Sequence, residues 1–238
     1  MERAGGEAEP GFTHVLADNG DGDVPPALRL QILTTEHWSL LSTRSLSWNE
    51  AFSRASMFLS VLTGAVVALA LVAQVTSFEE GFVTFALLIL PVVLFVGVAT
   101  FMRLVAINHE DVGWVVGMNL LRRAYLSAAP ELAPYFITGS SDDEKGIMTT
   151  MGARPGPGSF AHELVTTPGV IAVVDAVVAG AIGGIVILRV GMSELIAIGL
   201  AVVISIVTLA LHLIHQYRGA VLPRGRRSPQ FPGEPAED

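Results

Sequence analysis

One acidic residue sits where a charge is expensive. Asp175 lies in an apolar run at 168–190, about 10 Å from its start at 1.5 Å per residue. A carboxylate in hydrocarbon turns toward the bundle interior and marks a functional site by default. Thr63, Thr100 and Thr208 fall at similar depth in three other apolar runs, and Arg103 lies one turn nearer the polar side. This spacing predicts a polar layer, with Arg103 available to pair with Asp175. Such a layer either fixes helix register by hydrogen bonding or holds a proton or cation.

Histidines form a second constellation. His109, His162, His212 and His215 fall near one end of the apolar runs, with Glu163 beside His162 and Glu110-Asp111 beside His109. His212 and His215 are three residues apart, hence on one helix face. Imidazole and carboxylate ligands of this kind suit zinc or iron. Neither H-E-x-x-H nor a paired E-x-x-H is present. The plainer expectation is a set of hydrogen-bonding side chains at the interface. Near Asp175 the sequence turns small, with Gly180, Gly183 and Gly184. Gly180 and Gly184 make a G-x-x-x-G pair, which lets helices approach closely, within one chain or between copies.

These residues need elements to position them. Four apolar runs, at 56–75, 81–106, 168–190 and 194–215, each have the roughly 20 residues that carry a helix across about 30 Å of hydrocarbon. The link between the first two runs has no Lys or Arg, and the link between the last two has Arg189. Arg103 lies near the end of the second run, and the other basic residues, among them Arg44, Arg54, Arg122, Arg123 and Arg218, lie before, between or after the two pairs. The positive-inside rule then puts both termini in the cytoplasm of a bacterial plasma membrane.

Between and around the spans the chain is polar. Residues 1–26 are rich in Gly, Pro, Asp and Glu and read as a disordered tail. Their acidic run at 18–23 lacks the oxygen ligands at the third and fifth positions that an EF-hand loop needs. Residues 27–54 read as an amphipathic interfacial helix. Ser47 and Glu50 match a capping box, which would start the first spanning helix at Trp48. The pattern of the second helix persists past Arg103 to 128, predicting a cytosolic stalk, with Pro91 a break in its hydrogen-bond ladder. Pro130 and Pro134 end that pattern. Residues 138–146 read as a loop and 154–158 as a flexible connector. The tail, 216–238, reads as disordered.

The chain of 238 residues is 51% hydrophobic and only 15% charged. A soluble domain carries about a quarter charged residues. There is no cysteine, so disulfides and thiolate catalysis are excluded. No P-loop, G-x-G-x-x-G or G-x-S-x-G occurs, and a single intramembrane acid does not make an aspartyl protease.

The stretch at 33–74, LTTEHWSLLSTRSLSWNEAFSRASMFLSVLTGAVVALALVAQ, with Gly117 to Tyr125, Ala129-Pro130 and Pro134-Tyr135-Phe136, resembles a group of bacterial, mainly actinobacterial, four-span integral membrane proteins. That group has no established function, so the resemblance implies a layout and no active site.

The expected fold is an all-α membrane protein. Four transmembrane helices form two hairpins, 55–106 and 168–215, with an N-terminal amphipathic helix at 27–54 and a cytosolic helical insertion at 107–167. The leading functional expectation is a non-enzymatic membrane protein acting through self-assembly as a homo-oligomer or through a cytosolic protein partner. An ion or proton conduit using Asp175 is the alternative, and a metalloenzyme using the histidines a second. Membrane lipid is the expected surroundings. No cofactor and no nucleic-acid partner are expected.

Overall fold

The computed structural model describes residues 24–152 and 164–221, and among these the chain is helical with no strand. Helix α1 spans Pro26–Thr76, α2 Glu80–Ala128, α3 Glu144–Met151, α4 Thr167–Arg189 and α5 Glu194–Val221. A 3-10 turn, Pro130–Tyr135, follows α2. All but α3 are long and apolar enough to cross a membrane.

Local chemistry sets several ends. Pro26 opens α1, where its missing N–H has no partner to lose. The Asp143 carboxylate accepts from Gly146 N at 2.8 Å and caps α3. The Thr166 hydroxyl accepts from Gly169 N at 3.2 Å and caps α4. Gly152 ends α3 with φ 66°, and Gly191 at φ 84° turns the chain from α4 to α5. Ser77 and Phe78 turn α1 into α2 at φ 48° and 62°, a left-handed conformation that disfavours side chains.

The sequence's division of the N-terminal half is corrected. No separate interfacial helix exists. Residues 27–54 and the first apolar run form one unbroken helix of 51 residues. Ser47 is not a cap, because its hydroxyl donates to Thr43 O at 3.1 Å inside the helix. Glu50 is drawn away to Arg54 and Arg103. The loop expected at 138–146 gives its last three residues to α3. At the C-terminus, α5 continues to Val221, so 216–221 is helical rather than tail. The remaining parts of the expected tails and the connector at 154–158 lie outside the described residues.

The long helices pack in a row. α2 packs against both α1 and α4, α4 packs against α5, and α5 also reaches α2 where His212 meets Phe101. Phe58, Val93, Phe101, Leu104, Ile107 and Ile171 form the core of this row. α4 is the most enclosed, with 33% of its most apolar window buried against 11% for α1 and α5. Exposed Val, Leu and Ile side chains cover the outer faces, the composition a hydrocarbon solvent asks for.

Beyond the apolar half, α1 and α2 continue side by side as a stalk. Arg44 grips Asp111 through two hydrogen bonds of 2.6 and 3.0 Å. Tyr125 OH donates to Leu33 O at 3.0 Å, and its ring stacks on His37 at 5.8 Å. A small second core of Val115, Met118 and Ile147, with Leu40, attaches α3 to the stalk. Buried Asn119 clasps the loop before α3, donating to Ser141 O at 2.8 Å and accepting from Thr150 Oγ1 at 2.7 Å. Residues 130–151 thus pack on the stalk.

Candidate functional site

α4 carries Asp175 to the centre of the row, where it is fully buried. α5 brings His212 opposite, 8% exposed, with Nε2 3.3 Å from Asp175 Oδ2. α2 contributes Gly97 and Phe101, and α1 contributes Phe58. A Cβ at Gly97 would collide with the Asp175 carboxylate and lie 2.9 Å from Phe58 Cε2. Phe101 meets the His212 ring edge-on, with centroids 4.4 Å apart. All four long helices therefore converge on one acid–imidazole pair.

The hydrogen positions of the pair follow from its partners. His212 Nδ1 lies 2.8 Å from Thr208 O, and a carbonyl can only accept. Nδ1 therefore carries a hydrogen, which leaves Nε2 to face Asp175. With a neutral imidazole, Nε2 accepts from a protonated carboxyl. With an imidazolium, Nε2–H donates to a carboxylate. Both forms hold one proton between the two groups and have no net charge. The 3.3 Å contact is within ion-pair reach but off the line of a good hydrogen bond, and no other group supplies one to Nε2 or to either Asp175 oxygen.

The expected polar layer is not assembled. Thr63 is exposed and donates to Leu59 O at 2.7 Å. Thr100 is buried but donates to Val96 O at 2.8 Å. Thr208 serves through its carbonyl. Each threonine satisfies its hydroxyl within its own helix or offers only backbone, and none hydrogen-bonds Asp175. Arg103 does not pair with Asp175 either. Its guanidinium meets Glu50 at 2.9 Å and Glu110 at 2.8 Å, in a network that also joins Arg54 to Glu50 at 2.7 Å. Hydrogen bonds from Arg103 and then Arg54 hold the Glu50 carboxyl down at about 2. This network lies about 9 Å along α2 from Gly97, at the rim of the apolar slab.

The small-residue face is used inside the chain. A Cβ at Gly180 would strike Ser205 Oγ and lie 2.7 Å from Ala201 O, and one at Gly183 would strike Ile204. Gly184 faces Ala201 Cβ at 3.3 Å by the same measure. These glycines seat α4 on α5 and so hold His212 against Asp175.

The histidines do not gather. His212 belongs to Asp175. His215 is exposed and sits 6.2 Å from the Phe101 ring. Burial, then the neighbouring His215, lowers the pKa of His109, which lies beyond the apolar run of α2. His162 and Glu163 lie outside the described residues. Among the described residues no three His, Asp or Glu side chains converge as a metal site.

His212 was singled out in the sequence for metal binding, not as the partner of Asp175. The helix length explains the miss. Ending α5 at 215 places His212 at the rim. With α5 running to Val221, His212 stands nine residues from its end, matching Asp175 eight residues into α4.

Comparison with family models, curated proteins and solved structures gives no match for this chain.

Proposed function

We propose that this chain is a multi-pass protein of a bacterial plasma membrane that conducts protons through Asp175 and His212. In this reading its spans form two hairpins and both termini are cytoplasmic. The observation that carries it is the buried acid–imidazole pair where four apolar helices meet. Neither group has a conventional structural partner for its facing atoms. A pair that shares one proton is neutral at rest. Release or uptake of a proton leaves a net charge in a low-dielectric place, so the site exchanges protons only when a second acceptor or donor comes within reach. Relay acids and histidines in membrane bundles have this character.

Self-assembly through the glycine face loses its motivation, because that face is occupied by α5 of the same chain. The metalloenzyme reading loses His212 to Asp175. The test is proton flux into liposomes under a potassium diffusion potential, with wild type against Asp175→Asn. Flux falling to that of protein-free liposomes supports the proposal. Undiminished flux in a variant that purifies and inserts like wild type overturns it. His212→Gln, which keeps an amide near Nε2, gives a second reading should Asp175→Asn fail to insert.

A further inference from the structure

The stalk half of α1 packs one apolar stripe on α2 and leaves other apolar side chains exposed, Ile32 and Leu46 singly and the rest along one ridge. Leu33, His37, Leu40 and Arg44 face α2. A second ridge, about 100° around the helix, is formed by Leu30, Trp38, Leu41, Trp48 and Phe52. Leu30 is 53% exposed, Trp38 65%, Leu41 42% and Phe52 57%. With Thr34 and Ser45 in the gaps, the ridge steps by three and four residues, the spacing that presents a continuous seam to a parallel neighbouring helix. Lipid does not cover all of it. Leu41 stands about 13 Å along the helix beyond Glu50 at the rim, and Leu30 about 30 Å, while headgroups extend only about 6 Å past the hydrocarbon.

We infer that this ridge is a dimer seam, and that its occupant is the same ridge of a second copy of this chain. Three observations favour a second copy. Copies inserted in one membrane with one orientation present the ridge parallel, at equal height and in register. The outer flank, Gln31, Ser42 and Asn49, carries no charge, and Arg44 on the inner flank is neutralised by Asp111, so self-pairing opposes no unpaired like charges. The area is small for an interface in solution but suffices for copies held in one membrane. At these exposures the ridge offers on the order of 400 Å² per copy, about half the roughly 800 Å² per partner of a free-standing interface. Tethering both copies to one membrane raises their effective concentration and lowers the affinity that the seam must supply.

The test uses the full chain, which has no cysteine of its own. Ser45→Cys lies on the ridge and Ser39→Cys lies well round the helix from it. Both are small changes at exposed positions. In liposomes at low protein density, oxidation should give a disulfide dimer with Ser45→Cys and none with Ser39→Cys. Adding Leu41→Glu should abolish the Ser45→Cys dimer while the protein still inserts. Equal cross-linking at both positions, or none at either, overturns the inference. Either result leaves the ridge to another protein or another part of the chain. This outcome is independent of Asp175, because proton flux is not the readout.

Discussion

Gly97 has no side chain because Asp175 occupies the volume that one would fill. A methyl group there meets the carboxylate and the Phe58 ring at once, and neither sits at the end of a long flexible chain. Gly97→Ala should therefore push α4 from α2 and destabilise the protein by about 1–3 kcal/mol, as overpacking does. Thermal aggregation in detergent should show a lower midpoint, and the residual folded protein should show altered flux. Gly113, with nothing within 4 Å of its added Cβ, is the matched control and should tolerate alanine. At this scale the sequence was half legible. An acid in an apolar run announces itself by type. Its partner did not, since depth counted from the apolar boundary misplaced His212. The threonines looked equivalent because residue counting gives depth and not azimuth. Only packing decides that Thr63 points outward while Thr100 points in.

The α1–α2 stalk owes its length to polar pairs that a sequence presents only as scattered charges. Arg44 and Asp111 are 67 residues apart in the chain, and Asp111 is 1% exposed. Removing the guanidinium leaves a buried carboxylate without its partner. Arg44→Ala should destabilise by about 3 kcal/mol, toward the low end for a buried pair because water reaches the arginine side. Limited proteolysis after Arg123 should accelerate. Replacing both partners, with Arg44→Met and Asp111→Leu, should recover most of that loss, since an apolar pair of similar size needs no counter-charge. The stalk itself was expected from the helical pattern to 128. Its pairing with residues 27–54 was not, because Ser47 and Glu50 mimic a cap, while Ser47 bonds back to Thr43 within the helix and Glu50 turns to Arg54 and Arg103. Asn119 was equally silent, since the residues it holds lie 22 and 31 positions away.

The described residues form four long apolar helices, with α1 and α2 extended as a stalk, and their orientation is open to chemistry. On the proposed topology Ser77 faces the outside and Ser127 the cytoplasm. An impermeant maleimide should label Ser77→Cys in intact cells and Ser127→Cys only after lysis, against a background free of native thiols. The opposite pattern would invert the assignment. The number of helices long and apolar enough to span was readable because hydrocarbon thickness sets a length that composition reveals. The row was not, because each span is apolar on nearly every side and bears no mark of its neighbours. The unbroken course of α1 through the rim has a mechanical consequence. Phe58 lies against Gly97 beside the buried pair, and Pro26 stands about 48 Å along the same rod. A tilt of about 5° at Phe58 would sweep the distal end through about 4 Å, close to the rise of three helical residues. On the proposed function the helix acts as a lever, with its short arm at the proton site and its long arm in water.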